Sequence, residues 1–184
     1  MTTALATATG TYSIDPTHSR IGFVARHAMV TKVRGSFNDS VGAGTFDAEN
    51  PSASSLEVAM QVASIDTRNE DRDNHLRTND FFDAEQFPTI RFVSTAVEAL
   101  GGSHYQVTGD LTIKDVTKSV PFDVELSGPA VDPWGNTRLG LEGSTVVNRK
   151  DWGLSYNAVL EAGGVLIGEK VTLEFEVSAV RNAD

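Results

Sequence analysis

The sequence has no cysteine in its 184 residues. Disulfides, thiolate metal sites and a cysteine nucleophile are therefore excluded, and the chain suits a reducing compartment. Cations are few. Fifteen Lys and Arg face 25 Asp and Glu, for a net charge of -10. The acids are scattered rather than gathered in a tail, so they read as solvation of strand outer faces. Such a field repels phosphates and argues against a nucleic-acid partner. No apolar run of about 18 residues occurs, so no integral membrane segment is expected. The opening MTTALATATGTYSID lacks a basic n-region and a long apolar h-region, which makes cytoplasmic the expected location. Residues 1–10 are small and polar and are expected to be a flexible arm, with 11–184 as one domain.

Catalytic signatures are also scarce. There is no G-x-S-x-G elbow and no H-E-x-x-H. The G-x-G of VGAGTF (41–46) has neither the third glycine nor a following helix and reads as a turn. His18, His27 and His75 could converge with an Asp on a catalytic metal, but no two share helical i, i+4 spacing. The expectation is no metal and no cofactor.

What the chain does have is alternation. In LEVAMQV (56–62), Leu56, Val58, Met60 and Val62 share one face; Glu57 and Gln61 take the other. VPFDVELS (120–127) sets Val120, Phe122, Val124 and Leu126 against Asp123 and Glu125. KVTLEFEVS (170–178) repeats the pattern. Period two with one wet face means half-buried antiparallel strands. Similar runs at 19–28, 31–38, 89–97, 104–113 and 137–147, separated by Gly- and Pro-rich turns, bring the count to about eight strands. An all-β barrel or sandwich with one or two short helices follows.

DRDNHLRTNDFFDAEQFP (71–88) departs from this pattern. Residues 70–83 are the best helix candidate, with Asp71 or Asp73 as cap and Pro88 as a stop; a weaker candidate covers 151–160. The segment reads as a lid over one barrel end, with Phe81 and Phe82 beneath it. Arg72, Asp73 and His75 either brace it or hold a polar headgroup. In SRIGFVARHAM, parity points His27 inward with Ile21 and Phe23. Arg149 shares a face with Leu139, Leu141 and Val147, at the end of its strand.

Five motifs in order carry a resemblance. They are YSIDPTHSRIGFVARH (12–27), VRGSF (33–37), SIDTRNEDRDNHLRTNDFFDAEQFPTIRFVST (64–95), VTGDLTIKDVTKSV (107–120) and VNRKDWG (147–153). Together they resemble the YceI-like family of polyisoprenoid- or lipid-binding proteins, over about Tyr12 to Val180. Asp115 departs from a frequent Gly and Tyr12 from a frequent Trp. The resemblance implies an extended antiparallel β-barrel of lipocalin-like fold with a long apolar pore. It also implies a non-enzymatic role: carrying or sequestering a polyisoprenoid, isoprenoid quinone or fatty acid derivative.

Strand parity and the lid supply the expected ligand-facing set: Phe23, His27, Phe37, Met60, Phe81, Phe82, Phe92, Leu111 and Phe122. His18, Arg72, Asp73, His75 and Arg149 are expected at the headgroup or lid. A bound lipid is the expected partner, and a homodimer is possible. The rival reading is a metal- or histidine-dependent enzyme acting on a small amphiphile.

Overall fold

The computed structural model describes residues 5–161 and 163–184. Among these, eleven strands follow one another: β1 (Gly10–Ile14), β2 (Arg20–His27), β3 (Thr31–Phe37), β4 (Ser40–Phe46), β5 (Ser55–Gln61), β6 (Ile65–Asp66), β7 (Thr89–Gly101), β8 (His104–Ile113), β9 (Val116–Val131), β10 (Thr137–Asn148) and β11 (Ile167–Arg181). One α-helix, α1 (Glu70–Leu76), lies between β6 and β7.

These strands make eight antiparallel arms. β1 and β2 are two parts of one arm, split by a 3-10 turn at Pro16–His18, and both pair with β11. β3 and β4 form the returning arm, with Phe23 opposite Gly35 and Tyr12 opposite Gly44. β5 and β6 form a third, split by the turn Val62–Ser64. β7 to β11 complete the circuit, and the β1–β11 pairing closes it. Full closure removes the exposed edges an open sheet would leave.

Each arm follows its sequence pattern. Along β9, Val120, Phe122, Val124 and Leu126 are buried while Pro121, Asp123 and Glu125 are exposed. The inward residues form two clusters. The larger includes Phe37, Met60, Phe92, Phe122 and Trp152. The smaller, Leu5, Ala8, Tyr12, Phe46, Tyr105, Leu126, Leu139 and Ala179, is the barrel floor.

Three local expectations are corrected. Residues 1–4 of the expected arm lie outside the described residues, but Leu5 and Ala8 are 2% and 0% exposed. Leu5 fills the floor that the strands leave, and the Tyr12 hydroxyl donates to the Ala8 carbonyl at 2.6 Å. α1 stops at Leu76 rather than 83, and its cap is Asn69, which accepts from the Arg72 amide at 2.9 Å. Beyond it the Phe81 and Phe82 amides turn back onto the Thr78 and Leu76 carbonyls. Near 151–160 there is only a 3-10 turn, Arg149–Trp152, ended by Gly153 in the left-handed region. No helix among the described residues is long and apolar enough to cross a membrane.

Candidate functional site: an apolar cavity beneath a braced lid

A cavity of about 280 Å³ runs inside the barrel between the floor and the lid. Its wall comes from the inward positions of nearly every arm. Phe23, Phe37, Met60, Phe92, Leu111 and Phe122 all line it, and Phe81 and Phe82 line it from the lid. The rings are not independent. Phe23, Phe37 and Phe82 form a chain with 5.9 Å between successive centroids. Phe92, Phe122 and Phe175 form a second, at 5.3 and 5.7 Å. Edge contacts of this kind fix ring orientation beyond simple burial.

Glycines keep the rings against the wall. Phe23 lies opposite Gly35, Phe175 lies opposite Gly143, and the Phe92 ring covers Gly109. A Cβ at Gly35, Gly109 or Gly143 would come within 2.4, 2.5 or 2.7 Å of the ring. None of the three has a positive φ. Space for a ring, rather than backbone conformation, therefore requires glycine there.

The lid is braced from within. Asp73 is buried and accepts from the Thr67 amide at 2.8 Å and from the Thr67 hydroxyl. Arg72 donates through Nε and Nη2 to the Thr67 hydroxyl and carbonyl, both at 2.7 Å. Arg72 and Asp73 thus serve one buried threonine from two sides. His75 Nε2 meets Asp80 at 2.8 Å, and its ring packs edge-on against Phe81 and Tyr156 at 5.1 and 4.9 Å.

Arg149 also lines the cavity, although only 6% exposed. Nε donates to the Gly168 carbonyl, Nη1 to those of Leu154 and Tyr156, and Nη2 to that of Ile167. Four of its five N–H donors are thereby used. Burial pushes the guanidinium pKa below its ordinary value, against the opposing pull of Glu169. No carboxylate lies within ion-pair distance of it among the described residues. A buried cation solvated only by carbonyls favours an electron-rich group beside it.

Two histidines differ from expectation. His27 is exposed and does not line the cavity. Parity gives its side, but β2 outruns the barrel there. His27 pairs with Ile167 just before a register shift in β11, and the chain turns immediately after it. His18 is at neither lid nor cavity. Its side chain is 67% exposed, and Nδ1 meets Asp15 at 2.8 Å, level with Ser178. Ser178 is eleven positions from Ile167 along β11, roughly 36 Å at strand rise. His18, His27 and His75 therefore do not converge. No group of three or more His, Asp or Glu among the described residues is placed to hold a metal.

The cavity also uses residues the sequence reading did not choose. Phe175 is on the inward face of KVTLEFEVS and was legible by parity. Trp152, whose Nε1 donates to the Leu111 carbonyl at 3.0 Å, sits in a turn where parity says nothing. Tyr105 is 4% exposed in the floor, and burial pushes its phenol upward.

The model of the YceI-like domain matches residues 12–179. A UPF0312 protein of Staphylococcus aureus is 38% identical over 169 residues, covering 91% of this chain and 95% of the relative. BcnA of Burkholderia cenocepacia superposes with a TM-score of 0.80 at 23% identity, covering 90% of this chain and 98% of BcnA. A polyisoprenoid binding domain from Saccharophagus degradans gives 0.68 at 14% identity, with 93% and 98% covered. At these identities the two structures speak to the shared barrel.

Proposed function

The chain belongs to the YceI-like domain family, and from that premise we propose that it binds the apolar chain of a long amphiphile and carries or sequesters it. The observation that carries this reading is the cavity, walled by apolar side chains along the barrel and covered by Phe81 and Phe82. A polyisoprenoid, an isoprenoid quinone or a fatty acid derivative has the required shape. The similarity to a polyisoprenoid binding domain favours the first two.

Magnitudes favour a polar anchor for the headgroup. At about 30 Å³ per water-sized group, a 280 Å³ cavity takes roughly nine carbons, or about two isoprene units. Nine methylenes contribute about 7 kcal/mol gross. Association costs an estimated 4 kcal/mol or more. Tail burial alone thus leaves weak binding, and retention needs either a polar anchor or movement of the rings to admit more chain. Arg149 is suited to be the anchor, being cationic, buried and at the lid end. The enzyme reading gains nothing here, because its three histidines point to separate places.

The test is mass spectrometry of an organic extract from protein purified without detergent. A stoichiometric isoprenoid, quinone or acyl species is expected. An empty extract, together with no change in Trp152 fluorescence of a Trp134→Phe variant on adding a long-chain prenol, overturns the reading.

A further inference from the structure

At the end of the barrel nearest Arg149, apolar side chains face outward. The β2–β3 hairpin turns through Ala28 and Met29, closed by the Val30 amide donating to the His27 carbonyl at 3.0 Å. Both turn residues have positive φ, 49° and 59°. A turn with positive φ at both central residues normally takes Asn or Gly there. Here an Ala and a Met occupy a region costly for their side chains, and Met29 and Val30 are 64% and 74% exposed.

A second segment lies against this tip. The Ala28 amide donates to the Leu166 carbonyl at 2.6 Å. Met29 Sδ lies close enough to Gly164 that a Cβ there would come within 2.6 Å of it. Val159, bridged to Val165, is 85% exposed. Met29, Val30 and Val159 thus belong to one protruding tip. Its inner side continues into the cavity, since Ile167 follows Leu166 and lines the wall.

The charge around the tip opposes that of the whole molecule. On the outer face, Arg26 of β2 lies directly opposite Lys32 of β3. Arg34 is two residues further along β3, and Lys170 occupies β11 next to β2. Like charges directly opposite destabilise a strand pair. In a chain of net charge -10, such a pairing points to an outside anion. Lys32 and Lys170 make no ion pair among the described residues, and Arg26 reaches the Val30 carbonyl at 3.4 Å. The nearest acids along these strands and the adjoining loop are Glu174, 3.7 Å from Arg34, Glu169, held by Lys150 at 2.7 Å, and Glu161. The lid that closes the same end adds Glu70, Asp71, Asp80, Asp83 and Glu85 beside Arg68, Arg72 and Arg77.

We propose that this tip docks on an anionic lipid surface, the apolar side chains entering the interface while Arg26, Lys32, Arg34 and Lys170 meet the headgroups. Exposed apolar residues ringed by cations are the combination that interfacial binding uses. A second copy of the chain fits poorly, because a two-fold contact through the tips would set the same cations against each other. Docking there presents the Arg149 end of the cavity to the bilayer. That consequence rests on the cargo reading above, whereas the docking itself does not.

The test is co-sedimentation of the full chain with vesicles of phosphatidylcholine alone or of equal parts phosphatidylcholine and phosphatidylglycerol. Binding to the anionic vesicles at low salt, and much less to the neutral ones, is expected. Arg26→Gln with Lys32→Gln should weaken it roughly fivefold per cation removed. Met29→Asn with Val30→Ser, which keeps a residue tolerant of the turn, should weaken it about tenfold or more. Unchanged melting curves show that both variants fold. Equal sedimentation of wild type and both variants overturns docking. So does a dimer in the ultracentrifuge that the Met29 variant dissociates, with no vesicle binding. Protein that yields cargo but ignores anionic vesicles also overturns docking and leaves the cargo reading standing. Protein that binds vesicles but gives an empty extract and no Trp152 response to the prenol supports docking and removes the cargo reading.

Discussion

The two ends of this barrel are closed by different means. The floor is built by the strands together with the N-terminal turn that carries Leu5. Leu5, Tyr12, Phe46, Leu126, Leu139 and Ala179 come from far-apart parts of the chain and interlock. Its rim is tied by Arg138, which bonds Asp15, 123 residues away, and Asp132, each at 2.8 Å. The lid is one contiguous segment between β6 and β7, and most of its polar bonds stay inside it: Asn69 to Arg72, Asp73 and Arg72 to Thr67, His75 to Asp80. It reaches the barrel through Arg77, which donates to the Ala63 and Ile65 carbonyls, and through Phe81 and Phe82. A floor made of long-range contacts opens only with the barrel. A self-braced lid resting on apolar contacts can lift as a unit. Cargo entry is therefore expected at the lid end.

The sharpest way to break this comparison is to truncate one buried side chain at each end. Leu139→Ala removes a floor residue that is 3% exposed and should cost about 2–5 kcal/mol of global stability. Phe81→Ala removes a residue of similar burial, but the loss should be largely local. Hydrogen exchange should quicken across 67–88 while the strands keep their protection, and cargo should leave faster. If Phe81→Ala instead speeds exchange uniformly, as Leu139→Ala should, the lid is not a separable unit.

Acid should distinguish the ends next. Arg138, together with Thr17 and His18, holds the Asp15 carboxyl well below its ordinary 3.8. Desolvation works to raise Asp132, but Arg138 and the amides of Asn136 and Trp134 outweigh it and its carboxyl is also depressed. Groups with a depressed folded pKa contribute stability above the unfolded value and lose it as pH falls through the folded one. The floor clamp is therefore intact at neutral pH, weakens as pH drops below 3.8, and is gone once both carboxyls protonate. Arg138→Met should lower stability at neutral pH and flatten the stability curve below pH 4, as read from urea midpoints across the acid range. An equally steep curve in the variant would place the acid sensitivity outside this clamp.

How far the sequence foretold this difference depends on which end is considered. The strands, their inward faces and the eight-arm count were legible because period two is a local signal. Phe23, Phe37, Met60, Phe92, Leu111 and Phe122 all fall on the wall that parity assigned. The lid was legible as a break in that pattern, with the Phe81–Phe82 pair beneath it. Parity failed where strand length mattered, because it cannot say that β2 passes the rim before His27. It reached Leu126 and Leu139 of the floor but not the N-terminal residues and long-range clamp that complete it. Leu5 and Ala8 sit in a small, polar-looking stretch, and the Asp15–Arg138–Asp132 clamp joins residues whose separation hides their meeting. The Gly–Phe pairs escaped for the same reason, since a glycine in a strand does not announce which ring will lie on it.

Those glycines provide the smallest and most selective test of the division. Gly35 is the best placed, because the three nearest atoms a Cβ would meet all belong to the Phe23 ring, at 2.4, 2.6 and 3.0 Å. Gly109 and Gly143 would also strike backbone carbonyls. Gly35→Ala should tilt Phe23 away from the wall into the cavity. The stability cost should be about 1 kcal/mol, the low end for overpacking, since only a side chain has to give. Cargo should respond more than stability does. The bound species in the organic extract should fall in amount, or shift to slimmer chains, while melting and lid exchange stay near wild type. Full cargo in Gly35→Ala would mean that the ring moves along the wall without narrowing the cavity, and that capacity is set at the lid end rather than by the wall.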